Sequence, residues 1–300
     1  MKILFTFPGQ GAQRPGMLAE IPNREAILAQ ARTVLGEDID NLDSTESLQH
    51  TRAVQLCLLI AGVAWARELQ SNGINPQMVC GLSIGAFPAA VIAGVLDFAS
   101  ALKLVALRGD LMEQAYPEGY GLTAIMGLTR PRLETLMKGH DVYLANLNTE
   151  TQIVIAGRDE AMAEVAQLAL QAGAIKAQRL AVNVPSHCTL LDKPAATLAQ
   201  AFADIPLAPP QCVYLSGSTA RVLMDPQLIA DDLAKNMAQP VHWQEAMIAA
   251  DERDLRLAIE MPPGGVLTCL TRQAGWRGDS ISLERSGLDV AHYLAQRLNE

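Results

Sequence analysis

An apolar run from Met78 to Cys80 enters the octapeptide Val79-Cys80-Gly81-Leu82-Ser83-Ile84-Gly85-Ala86, and an Ala/Val/Ile-rich stretch from Ile84 to Leu96 leaves it. This order predicts a strand, a sharp turn and a helix, a local unit of the kind α/β folds are built from. Gly81 and Gly85 flank Ser83 in the pattern G-x-S-x-G. A serine in a tight strand-to-helix turn is pushed out of the sheet edge. Glycine two residues to either side removes the Cβ atoms that would clash there. The turn also sets Ser83 at a helix N-terminus, where free backbone N–H groups can bind a developing oxyanion. The alternative reading of the same residues is a helix N-cap serine in a glycine-rich turn.

Three hundred residues, half of them hydrophobic, can bury a large core. The formal net charge of −9 argues against a nucleic-acid partner, which needs a basic face. Five cysteines (Cys57, Cys80, Cys188, Cys212 and Cys269) have no C-x-x-C spacing and read as reduced core thiols of a cytoplasmic protein. The histidines show no metal-ligand spacing, and no G-x-G-x-x-G follows a strand, so neither a metal nor a nucleotide cofactor is indicated. The opening run Lys2 to Phe7 stops at Pro8, too short for a signal peptide. The apolar stretch Val54 to Ala66 is too short to span a membrane.

Strand 1 (2–7) empties into Pro8-Gly9-Gln10-Gly11-Ala12-Gln13, a loop able to bring backbone N–H groups or amide side chains to a site. Helices are expected over 23–35 and 52–70, and from Asp97 as N-cap to about Ala115. From Leu122 the pattern reads strand 122–128, helix 130–138, strands 142–147 and 152–156, helix 159–172 and strand 175–182. This β-α-β-β-α-β order is the ferredoxin-like unit. Residues 122–183 are therefore expected to be a subdomain inserted into a parallel-sheet domain of residues 1–121 and 184–300. The main domain resumes with helix 189–202, strand 213–216, helices 225–237 and 243–250, strand 255–260, a helix to Gln273, strand 281–283 and helix 288–298.

A serine needs a base to take its proton. His187, in Val184-Pro185-Ser186-His187-Cys188 at a domain junction, is the best candidate and is expected to start a helix. No acid stands out as a third member, but a backbone carbonyl accepting the Nδ1 proton could orient the ring instead. Arg108, within Arg108-Gly109-Asp110-Leu111-Met112, reads either as a surface arginine or as a buried guanidinium holding a carboxylate.

These segments, with Phe7 to Gln13, Asn236 to Trp243 and Glu260 to Leu270, fall in a set order along essentially the whole chain. The sequence resembles the malonyl-CoA:acyl carrier protein transacylase family, which has a hydrolase-like α/β domain with an inserted ferredoxin-like domain. The resemblance implies roles residue by residue. Ser83 matches the acyl-accepting serine and His187 its general base. Arg108 matches the arginine that pairs with the malonyl carboxylate. Gln10 and Ile84 match the residues whose N–H groups form the oxyanion hole, Asn236 the residue whose carbonyl orients the histidine, and Gln55 a pocket glutamine. It implies malonyl-CoA and an acyl carrier protein as partners, with no nucleic acid, no membrane and no cofactor.

The sequence departs from the family's usual G-H-S-L-G-E at Leu82, Ile84 and Ala86, and Pro262 replaces a glycine before Pro263-Gly264-Gly265. Gly-Leu-Ser-Ile-Gly-Ala is more similar to the acyltransferase component (epsilon subunit) of malonate decarboxylase, which loads malonyl onto a dedicated carrier. A fatty-acid-synthesis malonyl transacylase is the alternative. A serine thioesterase or esterase would usually need an acidic triad member, and a non-catalytic scaffold would not need serine, histidine and arginine together.

Overall fold

The computed structural model describes residues 2–36, 39–116 and 118–298. β1 (Ile3–Phe7) is buried along its whole length, as a central parallel strand must be. Its side chains alternate: Phe5 and Phe7 enter one core, while Leu4 enters the core on the opposite face of the sheet. α1 (Arg24–Leu35) ends at Gly36, whose left-handed backbone returns its N–H to the Arg32 carbonyl. α2 (Thr51–Ser71), apolar nearly all round, runs through the main core. β2 (Met78–Gly81) leads through one 3-10 turn, Ser83–Gly85, into α3 (Ala86–Ile92). α4 (Phe98–Ala115) starts where expected, with the Asp97 carboxylate accepting from the Ser100 N–H at 2.8 Å. Gly109 lets α4 close on the backbone of α2 at Arg52, where a Cβ would collide.

The second unit follows as β3 (Tyr120–Met126), α5 (Arg130–Met137), β4 (Val142–Leu147), β5 (Gln152–Arg158), α6 (Asp159–Gln171) and β6 (Lys176–Arg179). Its strands form an antiparallel sheet in the order β4-β5-β3-β6, the ferredoxin-like arrangement. Ile125, Leu133, Ile155, Met162 and Val165 give it a core of its own. β6 is shorter than the expected 175–182. The Arg179 guanidinium donates to the Val182 and Tyr120 carbonyls, both at 2.9 Å, and bends the chain back toward the main domain.

The main domain resumes with α7 (Asp192–Ala201), β7 (Val213–Leu215), β8 (Val222–Leu223), α8 (Pro226–Lys235), α9 (Trp243–Glu252), β9 (Leu257–Glu260), α10 (Val266–Gln273), β10 (Asp279–Ser282) and α11 (Leu283–Arg297). The six-stranded sheet runs β10-β9-β1-β2-β7-β8, parallel except for the edge strand β8, which pairs antiparallel with β7. The two-residue β8 carries too little pattern to be legible in the sequence. Within α11 the non-helical backbone of Gly287 (φ 78°, ψ 171°) separates a first helical turn, starting at Leu283, from the closing helix, which starts at Leu288 as expected. The thiols are not all core: Cys212 is half-buried and Cys269 exposed. No described helix is long and apolar enough to cross a membrane.

Register decides where the site can be. Phe7 lies opposite Gly81, and Thr6 opposite Glu260, so the loops after β1, β2 and β9 leave the same sheet edge together. The ferredoxin-like unit faces that edge. It is tied there by Leu147 N–H to the Val241 carbonyl at 2.7 Å and Val241 N–H to the Ala145 carbonyl at 2.8 Å.

Candidate active site

Ser83 occupies the left-handed region at φ 58°, which costs a residue with a Cβ of the order of 1 kcal/mol or more. The surroundings enforce it. A Cβ on Gly81 would strike the Gly85 carbonyl, and one on Gly85 would strike the Phe7 carbonyl, so only glycine lets the turn pass this close to β1. The Leu82 N–H is held by the Phe7 carbonyl at 3.0 Å. Ile84 buries its side chain beneath the turn, and its backbone N–H directly follows the serine in the 3-10 turn.

His187 does not start a helix. It sits in a loop at φ 66°, and the next helical turn begins at Thr189. Its N–H donates to the Met237 carbonyl at 2.6 Å. The ring Nδ1 lies 2.9 Å from the Asn236 carbonyl and 3.2 Å from that of Gln239. Both partners are acceptors, so Nδ1 carries the proton and Nε2 presents a lone pair. Nε2 is 2.9 Å from Ser83 Oγ, the geometry of a base poised on its nucleophile. Burial, and after it the positive charge of Arg108, push the His187 pKa down to about 4, while the two carbonyls pull the other way. The ring is therefore neutral at pH 7 and able to accept a proton.

Arg108 is wholly buried, and burial pushes its pKa down to about 9, so it keeps its charge at pH 7. Its Nη1 donates to Gln55 Oε1 at 2.8 Å. Its Nη2 donates to Asn236 Oδ1 at 3.0 Å and to Ser83 Oγ at 3.2 Å. The Phe87 ring lies 5.9 Å below the guanidinium. All its hydrogen-bond partners among the described residues are neutral, and its buried Nε has none. Uncompensated buried charge is expensive. A strongly perturbed cation hydrogen-bonded to Ser83, beside His187, marks a candidate functional group.

Gln55 is fully buried behind the site. Its Nε2 lies 3.5 Å from Gln10 Oε1 and 3.3 Å from the Met112 sulfur. Gln10 lines the cleft on the loop after β1. That loop can approach because Gly9 carries no Cβ to strike Leu82. Ser83, His187, Arg108, Gln55, Asn236, Gln10 and Ile84 therefore lie in one cluster, drawn from six separate stretches of chain. The sequence gives no sign that the Asn236 side chain also belongs to it, accepting from Arg108 and donating to the Ser83 carbonyl at 3.2 Å. Nor does it signal the Gln239 carbonyl.

Two buried acids lie nearby, and neither reaches His187. Glu260, at the end of β9, accepts from the N–H groups of Leu267 and Thr268 and from the Thr268 hydroxyl, closing the turn that starts α10. Asp232 accepts from Tyr214 and Ser216. Burial raises the pKa of both. The cleft, about 240 Å³, opens between the sheet edge and the ferredoxin-like unit. Ser83, His187 and Gln10 lie on one wall and Asn146, Asn148, Gln152 and Gln178 on the other, with aliphatic side chains between them. Its described lining holds no acid, lysine or arginine.

A serine in a strained turn, hydrogen-bonded to a neutral histidine that carbonyls orient and set beside a cleft, is an arrangement able to carry out acyl transfer. Residues 4–286 match the acyl transferase domain family, and the chain belongs to it. It is 36% identical over 282 residues to the malonyl CoA-acyl carrier protein transacylase of Salmonella typhimurium, covering 90% of this chain and 91% of that one. The enzyme of the same name from Bacillus subtilis is 30% identical over 295 residues, 94% of this chain and 93% of the relative. Among solved structures, the malonyl CoA-acyl carrier protein transacylase of Coxiella burnetii superposes with a TM-score of 0.92 at 32% identity, covering 100% of this chain and 98% of its own. A malonyl-transacylase in complex with a type II PKS acyl-carrier protein superposes with a TM-score of 0.89 at 35% identity, covering 94% and 96%.

Proposed function

We propose that the protein transfers malonyl from malonyl-CoA to the thiol of an acyl carrier protein through a malonyl ester on Ser83. The observation that carries this reading is Arg108: buried, charged, paired only with neutral oxygens, and 3.2 Å from Ser83 Oγ. An acyl group bearing a free carboxylate supplies the missing counter-charge. An acetyl group leaves it missing, and a site built for a polar group rejects the analogue that lacks it.

In this reading His187 Nε2 takes the Ser83 proton as Oγ attacks the thioester carbon. The carbonyl electrons move onto oxygen, facing the backbone N–H groups of Gln10 and Ile84. The carbon–sulfur bond breaks, and CoA leaves as a thiol with the proton from His187. The carrier thiol repeats the sequence in reverse in a ping-pong cycle. The Asn236 carbonyl keeps the ring in the productive tautomer, which answers the lack of an acidic triad member. Residues 1–121 and 184–300 supply the reacting groups, and 122–183 form the opposite wall. Its neutral amides suit the amide-bearing arm shared by CoA and carrier proteins.

The elbow Gly81-Leu82-Ser83-Ile84-Gly85-Ala86 favours the dedicated carrier of malonate decarboxylase over the carrier of fatty-acid synthesis. The test is intact mass after brief mixing with malonyl-CoA or acetyl-CoA, beside the Ser83→Ala protein. A malonyl adduct confined to wild type and a weak acetyl adduct are expected. Release of free malonate without any adduct overturns transfer in favour of hydrolysis.

A further inference from the structure

Asp232 is a buried acid that the reaction does not use, and its position is informative. It lies on the inner face of α8, one turn before Asn236, whose N–H donates to the Asp232 carbonyl. Its carboxylate accepts from the Tyr214 hydroxyl at 2.8 Å and from Ser216 Oγ at 2.6 Å. Tyr214 belongs to β7 and Ser216 directly follows it, and β7 pairs with the nucleophile strand β2 through Val79↔Tyr214 and Cys80↔Leu215. Ser216 Oγ in turn accepts from the N–H groups of Ser218 at 3.2 Å and Thr219 at 3.1 Å, fixing the turn after β7. Gly217 in that turn lies against the Gly81 carbonyl, so close that a Cβ would collide with it. The Gly217 carbonyl also accepts from His242 N–H at 2.7 Å.

The Asp232 carboxylate thus joins α8, which ends in Asn236, to the strand end beside the elbow. Asn236 touches three parts of the site: His187 through its carbonyl, Arg108 through Oδ1 and the Ser83 carbonyl through Nδ2. We infer that Asp232 is a positioning residue for acyl-group selection: it holds Asn236, and through it the Arg108 guanidinium, in register with Ser83.

Helix α8 packs Ile229 and Leu233 into the main core. The two short hydrogen bonds to the Asp232 carboxylate add a directional tie between α8 and the end of β7. An Arg108 freed from Asn236 no longer meets the acyl carboxylate at a fixed place; any shift that Asn236 passes to His187 and Ser83 slows both acyl groups alike, so the malonyl-specific loss remains in the ratio of the two rates.

The inference rests on the malonyl reading above, and the experiment separates the two. Malonyl and acetyl adduct rates are measured for wild type, Asp232→Asn, Asn236→Ala and the double variant, each at 25 °C after a circular-dichroism check of folding. The ratio of the two rates is the readout, because loss of folded protein cancels in it. Wild type preferring malonyl, Asp232→Asn lowering the ratio at least fivefold, and a double variant no worse than Asn236→Ala alone are expected, since the two residues act in series. A folded Asp232→Asn protein with the wild-type ratio, or losses that multiply in the double variant, overturns the inference and leaves the malonyl reading intact. Wild type without malonyl preference overturns the malonyl reading itself. Should Asp232→Asn fail to fold, Tyr214→Phe, which removes one donor without a cavity, lowers the ratio at least twofold; an unchanged ratio there has the same overturning force.

Discussion

Ser83 and His187 face each other across 2.9 Å, and both hold a left-handed backbone that side chains usually avoid. They reach it by opposite routes. The serine is held by its neighbours in sequence: Gly81 and Gly85 have no Cβ, so β2 turns sharply under β1. The histidine is held from about fifty residues away, by the carbonyls of Asn236, Met237 and Gln239 at the end of α8. A short motif can encode the first. The second exists only once α8 has docked, so Ser83 and His187 differ in how local the information for their geometry is.

The comparison is broken hardest at the local end. Gly85→Ala puts a methyl group into the Phe7 carbonyl, and no flexible side chain is available to yield. The expected outcome is a loss of several kcal/mol of stability, of the order reserved for such backbone collisions, together with loss of the Ser83 adduct. Urea denaturation and intact mass measure both.

Arg108→Ala comes next. It removes the buried charge and leaves Gln55 Oε1 and Asn236 Oδ1 without their donor. The malonyl rate falls by about a hundredfold to a thousandfold, the scale of a desolvated charge pair, and the acetyl rate by less than about tenfold, the scale of a neutral contact. Equal losses with the two acyl groups refute the carboxylate clamp.

A smaller effect separates backbone from side chain at Gln10. If its N–H binds the oxyanion, Gln10→Pro, which lacks that N–H, lowers the malonyl rate by roughly a hundredfold. Gln10→Ala, which keeps it, lowers the rate by less than about fivefold, the cost of one long, part-buried amide contact. The reverse order assigns the role to the side chain.

The mildest probe is pH. With the His187 pKa pushed down to about 4, the acid limb of the kcat/KM profile lies near pH 4 and not near 6.5. Arg108→Gln moves it upward by removing the repelling charge. The sign for stability follows from the same depression. Between about pH 6.5 and 4 the unfolded chain binds a proton that the native ring refuses. The His187 contribution to stability therefore falls as pH drops through that window and is constant below it. Chemical denaturation at pH 7 and pH 5 measures the fall.

Much of the fold was legible in the sequence because its signals are short-range. The apolar run of β1, the Asp97 cap, the β-α-β-β-α-β order after Leu122 and the elbow around Ser83 each follow from local pattern and from what glycine permits. Legibility failed where a remote contact overrode the local pattern. Arg179 shortened β6 by bonding back to Tyr120 and Val182, and the Met237 carbonyl drew His187 into a loop where a helix start was expected. The candidate site divides in the same way. Sequence alone determined which residue could be a nucleophile, since the turn that exposes Ser83 is made by residues within three positions of it. Only the tertiary structure decided that Arg108 is a buried cation with neutral hydrogen-bond partners rather than a surface arginine. Its burial and its neutral partners come from Gln55 on α2, Asn236 beyond α8 and Phe87 on α3, and no local spacing records where separate helices converge.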